Sequence, residues 1–551
     1  MTDRKVMVIG LDAATLGLVE LWAGAGRLPH LARFMAEGAY GTLLSTLPAI
    51  SPAAWSSFAT GCNPGKTGIV DFCQLAADRY QAAFVSSAAV RERTFWEIAG
   101  EQGVRGGVLN VPVTYPPRPF NGFVITGLLS PGVNRRMASP PEVLDDLLAA
   151  SPHYAIDVNV TSDGVRDIKG VFLETTLAVI EARKRAAVGL YRKHRPPLYV
   201  AAFTAPDRIC HYFWNYHQAV IDGKELPDEE KRYGDAIRLV YEALDGAVGE
   251  LVEAAGKDTD VLILSDHGAG GLRKGINLRK VLARAGLTVE SRQGPVGRLT
   301  KRAIEKFAKV APMTFKSWIK AHFKGLTGRA ASAVALAGID FAASKAYPSG
   351  DSAGVFVNLQ GRQPAGTVAP GAEYEAVRDR IIEALMGIVD PATGLPVAKA
   401  VHRREQVWSG PALATLPDVI MEQREMVYDT RLINEASGDD IFYELPTPTR
   451  TKLFHVGGHR REGLFMAMGP HIRKGATRDA GIADVPATVL ALLGCAIPDN
   501  VDGRVLEEIL TDDVERPART AASQAGPAGG GELTDQEQQA VQQRLKDLGY
   551  L

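Results

Sequence analysis

The stretch Asp260–Asp266, DVLILSD, sets the fold class, because a short apolar, β-branched run held between polar residues reads as a strand of an α/β protein. Outward from it, the same pattern recurs in VMVIGLD (Val6–Asp12), GGVLNVP (Gly106–Pro112), GFVITG (Gly122–Gly127), PLYVAAFT (Pro197–Thr204) and GLFMAMG (Gly463–Gly469). Helical-looking segments separate these runs, which predicts a largely parallel sheet. Almost every run ends in a polar residue, a Gly-containing loop or a histidine. Open α/β sheets bind ligands beyond the carboxyl ends of their strands, so the functional residues are sought there.

A chain of 551 residues with 46% hydrophobic and 23% charged side chains can bury one large core or two moderate ones, and disorder is excluded except locally. Its formal charge of −1 gives no global reason to expect a nucleic-acid partner. Cys62, Cys73, Cys210 and Cys495 lack any CxxC spacing, which argues against a disulfide framework or a cysteine zinc site. Arg4 and Lys5 precede an apolar run as in a signal peptide, but Val6–Leu11 is short and Asp12 ends it. No stretch approaches the roughly 20 apolar residues of a membrane-spanning helix, and a soluble, cytoplasmic protein is expected.

Residues 1–511 read as one catalytic region interrupted at about 290–345 by a basic helical insertion. Between Val296 and Arg329 this insertion is rich in Lys and Arg, with Glu305 its only acid. It reads first as a solvated helix pair and alternatively as a surface for an anionic substrate or lipid head groups. Residues 512–532, with AASQAGPAGGG, read as a flexible linker. A terminal amphipathic helix is expected at 533–551: Thr534 and Glu537 make a capping-box pattern, Val541, Leu545 and Leu548 share a face, and Gly549 marks the stop.

Acidic and histidine residues gather beside the strands. Asp12 ends the first run. Asp207 and His211 follow PLYVAAFT four residues apart, on one face of any helix that begins there. Asp266 and His267 end DVLILSD, and His459 stands in the VGGH that precedes GLFMAMG. Taken singly, such an Asp is a turn or cap residue and such a His a surface or satisfied core residue. Together, three Asp and three His supply two sets of mixed oxygen and nitrogen donors, suited to zinc with some tolerance for manganese.

Thr60–Gly68, TGCNPGKTG, holds two near-misses. The P-loop motif needs four residues between its glycines, and only Cys62, Asn63 and Pro64 stand between Gly61 and Gly65. Cys62–Lys66 is similar to the CxPxR signature of sulfatases, with Lys in place of Arg.

The chain from Val6 to Leu510 resembles the alkaline phosphatase superfamily, in its type I phosphodiesterase and nucleotide pyrophosphatase branch and the phosphohydrolase or phosphomutase relatives of that branch. The resemblance rests on GLDAAT, the long segment LPHLARF…GKTGIVDF, TAPDRICH, SDHG, GGHRREG and DVPATVLALLGCAIPDNVDG. It implies a three-layer sandwich with a mostly parallel central sheet and helices on both faces. The family nucleophile lies nine residues before the Thr of a Thr-Gly pair, which from Thr60 is Ser51 and not Cys62. The resemblance further implies two divalent metal ions, zinc with manganese as the alternative. One would be held by Asp207, His211 and His459, the other by Asp12, Asp266 and His267, with Ser51 reaching the second.

Two departures stand out. Thr67 occupies a position where the family commonly has His, and Asp71-Phe72 stands where nucleotide pyrophosphatases place a phosphoryl-binding Asn. Substrate oxygens must then meet other donors, for which the backbone at Ser51, Asn110 and Lys66 are candidates. The expected activity is hydrolysis of a phosphomonoester or phosphodiester through a phosphoseryl intermediate on Ser51. The alternatives are a phosphomutase or phosphotransferase using the same site, a sulfatase-like hydrolase, an inactive metal-binding relative, and an ATPase dependent on Lys66.

Overall fold

A computed structural model of the protein describes residues 4–76, 80–160, 165–291, 338–350, 352–430, 440–475, 479–522 and 533–549. All six runs are strands of one nine-stranded sheet. In chain order these strands are β1 (Lys5–Leu11), β2 (Ala39–Leu44), β3 (Gly106–Leu109), β4 (Gly122–Ile125), β5 (Ala138–Ser139), β6 (Leu198–Phe203), β7 (Thr259–Leu264), β8 (Glu462–Met468) and β9 (Ala480–Gly481). Their spatial order is β9-β2-β8-β7-β1-β6-β3-β4-β5. β8 runs antiparallel to β2 and β7, and β5 antiparallel to β4; every other pair is parallel. Because β8 is reversed, the residues before it, not after it, reach the edge where the parallel strands end.

The period-2 alternation of side chains divides the core into two layers. Met7, Ile9 and Ile263 face helices α2 (Ile168–His194) and α4 (Ala236–Ala255), where Ile180 and Leu244 are buried. Val8, Leu262 and Leu264 face α1 (Ser51–Thr60) and α5 (Asp484–Leu492), packing with Trp55, Phe58 and Leu490. Helix α3 (Ala205–Ile221) follows β6 directly. Such fully buried apolar side chains each contribute roughly 1.5–3 kcal/mol. Gly10 in β1 is required by this packing: a Cβ there would lie 2.4 Å from the Trp55 ring.

A second unit was not foreseen in the sequence. Ala346–Pro348, Gly354–Val357, Val419–Gln423 and Ala398–Arg403 form a four-stranded antiparallel sheet in that order. The helix Ala372–Met386 packs Val377, Ile381 and Leu385 into a separate core with Leu278 and Leu282. The basic stretch expected as an insertion falls largely on 292–337, outside the described residues.

Within the 512–532 expected as a linker, Arg519–Thr520 pairs in parallel with Ile497–Pro498; 523–532 lies outside the described residues. The terminal helix α6 (Asp535–Asp547) has its capping box, with the Glu537 carboxylate accepting from the Thr534 amide at 2.9 Å. Val541, Leu545 and Leu548 are buried against Ile50 and Phe72. Among the described residues no helix is long and apolar enough to cross a membrane.

Candidate active site

β1 and β7 are neighbours in register, with Gly10 opposite Leu264, so Asp12 and the Asp266-His267 pair leave the sheet side by side. Ala13 adopts φ +60°, a left-handed turn that a non-glycine residue takes at a cost. Its amide thereby donates to Asp266 Oδ1 at 3.2 Å. Trp55 Nε1, reaching across Gly10, donates to Asp12 Oδ2 at 3.1 Å.

Asp207 lies in the first turn of α3 and His211 one turn on, with His211 Nε2 3.2 Å from Asp207 Oδ1. His459 sits on a glycine ribbon, Gly457–Arg460, paired antiparallel with Gly268–Gly271. A Cβ on Gly457 would stand 2.1 Å from the Cys210 carbonyl oxygen, so only glycine lets the ribbon close on α3. His459 Nε2 comes within 3.3 Å of the same Asp207 oxygen.

All three imidazoles are presented alike. Nδ1 of His211 donates to the Gly457 carbonyl at 2.8 Å, that of His267 to Gly268 at 3.1 Å, and that of His459 to Ala49 at 2.9 Å. A carbonyl can only accept, so each neutral ring keeps its Nε2 lone pair for the cluster, as metal-ligating histidines do. The Nε2 atoms of His211 and His459 then face each other at 3.2 Å. Asp12 Oδ1 and Asp266 Oδ2 are buried and have no hydrogen-bond partner among the described residues. At these two oxygens no donor answers the acceptor, an arrangement a cation satisfies.

The donors divide into two groups, Asp207, His211 and His459 against Asp12, Asp266 and His267, each with its ligand atoms within 4.8 Å of one another. Carboxylate with neutral imidazole suits zinc or manganese. Burial, with Asp266 and Asp207 nearby, holds the Asp12 carboxyl well above its usual range. Burial pushes Asp266 up to about 7, and burial pushes His267 and His459 down to about 4. Burial would raise Asp207 too, but His211 and Arg208 beside it hold that carboxyl well below its usual range.

Ser51 begins α1 and is fully buried. Its Oγ lies 3.2 Å from His267 Nε2, and its position at a helix N-terminus favours negative charge beside it.

Two expected substrate contacts are engaged within the protein. Lys66 stands beyond the far end of α1, where Nζ pairs with Asp502 and donates to the Asn500 carbonyl at 2.7 Å. Asn110 follows β3 with φ +61° and is fully buried. Its amide meets the Tyr154 hydroxyl at 3.0 Å and accepts from Arg183 at 2.9 Å. Cys62 lies past the same end of α1, hydrogen-bonded to the Asn500 carbonyl at 3.3 Å, and burial pushes its thiol up to about 12. It thus stands at the opposite end of α1 from Ser51.

Three residues near the cluster escaped sequence reasoning. Arg208, in TAPDRICH, pairs with Asp207 and holds Asp157 through Nη2 at 2.8 Å and Nε at 3.1 Å, all fully buried. His455 stacks on His211, ring centroids 4.2 Å apart. A basic residue directly after Asp207 at the start of the helix was the available signal for Arg208; a lone His four residues before His459 gave little. Beside His211 and His459 a cavity of about 120 Å³ opens, walled by Ile50, Phe72, Leu272, Met421, Met426 and Tyr428.

A family model described as type I phosphodiesterase / nucleotide pyrophosphatase matches residues 6–437. No curated protein matches the chain in sequence. Human ectonucleotide pyrophosphatase / phosphodiesterase 5 aligns in structure with TM-score 0.50 and 13% identity, covering 92% of this chain and 100% of its own, a likeness of fold. The murine counterpart aligns over the same shares at 13% identity and TM-score 0.48.

Proposed function

Because the chain belongs to the type I phosphodiesterase / nucleotide pyrophosphatase family and is thus a phosphoric ester hydrolase, we propose that it cleaves its substrate by attack of Ser51 on phosphorus. The observation that carries this reading is the shared presentation of three imidazoles. Each Nδ1 is spent on a backbone carbonyl, each Nε2 faces a buried carboxylate, Asp207 or Asp266, and that of His267 also lies 3.2 Å from Ser51 Oγ.

Asp12, Asp266 and His267 would hold one divalent cation beside Ser51, and Asp207, His211 and His459 a second. The chemistry that zinc, or manganese, would supply there is a lowered hydroxyl pKa and stabilised charge on the entering and leaving oxygens. Ser51 Oγ displaces the alcohol from phosphorus, giving a phosphoseryl residue; water then displaces Ser51. The α1 N-terminus faces the charge that builds up during both steps. The apolar cavity beside His211 receives the organic part of the substrate.

The test is a panel of phosphate mono- and diesters with metal analysis on the same preparation. Ser51→Ala should abolish turnover while retaining metal, and Lys66→Ala should leave turnover within about twofold, since an exposed ion pair matters little. Turnover that survives Ser51→Ala but not Lys66→Ala would sink the reading in favour of an ATPase. Isomerised product in place of released phosphate or alcohol would assign a mutase to the same serine.

A further inference from the structure

The C-terminal helix ends on the histidine that backs the candidate metal centre. The last carbonyls of a helix lack partners within it, and here the Leu548 carbonyl accepts from the Tyr212 hydroxyl at 2.7 Å and from His455 Nε2 at 3.1 Å. The His455 ring in turn lies flat on His211, at an interplanar angle of 17°. Gly549 makes this approach possible: it takes φ +73°, and a Cβ there would stand 2.7 Å from both His455 Nε2 and the Tyr212 hydroxyl oxygen. Further contacts fix the helix. Leu545 and Leu548 pack with Ile50, which precedes Ser51, Glu537 pairs with Arg136 at 2.8 Å, and Arg544 donates to the Ser130 carbonyl.

We propose that α6 is a buttress of the catalytic centre, with His455 as the positioning residue through which helix docking and cation binding at His211 stabilise one another. The proposal rests on the reading of Asp207, His211 and His459 as a cation site. His211 has its Nδ1 tied to the Gly457 carbonyl, and stacking by His455 restricts the remaining tilt of the ring, so its Nε2 is aimed before any cation arrives. Linkage makes the effect mutual: whatever factor docked α6 adds to cation affinity, the cation adds to helix docking.

The experiment is hydrogen–deuterium exchange on the full chain, stripped with chelator and then reloaded with zinc. Amides of 535–548 should exchange about tenfold more slowly with zinc, within the usual range of such coupling. His455→Phe, which keeps a ring over His211 but loses the bond to Leu548, should remove most of that difference and weaken zinc binding by a similar factor. Gln543→Ala, on the exposed side of α6, should change neither. Exchange of 535–548 that is indifferent to zinc in a folded, zinc-binding protein overturns the proposal. Zinc-dependent protection without phosphate-ester hydrolysis would leave it standing and remove the catalytic reading instead.

Discussion

Ser51 Oγ and His267 Nε2 lie 3.2 Å apart, with the proton of the imidazole committed to the Gly268 carbonyl on the other side of the ring. The serine therefore faces a lone pair, and His267 belongs to a group with two buried carboxylates, Asp12 and Asp266. His267→Ala should consequently lower kcat/KM by about 10²-fold or more, and it should also release the cation beside Ser51. Steady-state kinetics with metal counting on the variant checks both effects together.

The two donor groups share no residue, which predicts selective loss of metal. His459→Ala should remove one cation and leave the other, and Asp266→Asn should remove the complementary one. Elemental analysis should give about one equivalent for each variant against two for the unmodified protein. Loss of both ions from either variant would mean that the groups act as a single site.

Proton linkage sets the pH dependence of metal loading. In the metal-free protein the Asp266 carboxyl is raised from 3.8 to about 7, chiefly by burial. Its contribution to stability is therefore present at low pH and lost as pH rises through about 7. A cation must displace that proton, whereas His267 and His459, held down to about 4, are already neutral. The rise in Tm on adding zinc should be larger at pH 8 than at pH 6, and calorimetry should detect proton release at the lower pH.

Arg208 pairs with both Asp207 and Asp157, and all three side chains are buried. Arg208→Met leaves two buried carboxylates without their partner, and breaking such a pair costs about 3–5 kcal/mol. Urea unfolding of the metal-free protein should show the loss.

Much of this site was legible before the structure. Asp207 and His211 were readable from a four-residue spacing on a helix start, and Asp12 and Asp266 from their place after apolar runs. The direction of β8 was not, because GLFMAMG is apolar throughout and carries no sign of polarity; His459 reaches the site only because that strand is reversed. Lys66 misled because its partner Asp502 is 436 residues away in sequence. Asn110 misled because its contacts with Tyr154 and Arg183 form only when β3 and α2 pack together. The second sheet was missed since its strands are three to six residues long and lie among turns, leaving little periodicity to read.

The most direct measurement is acid quenching of the enzyme during turnover of a phosphate ester, followed by mass spectrometry of the peptide that carries Ser51. One phosphoryl group should be found on Ser51, absent from Ser51→Ala and from metal-stripped protein. Full turnover with Ser51 unmodified throughout, and undiminished in Ser51→Ala, would contradict attack by this serine.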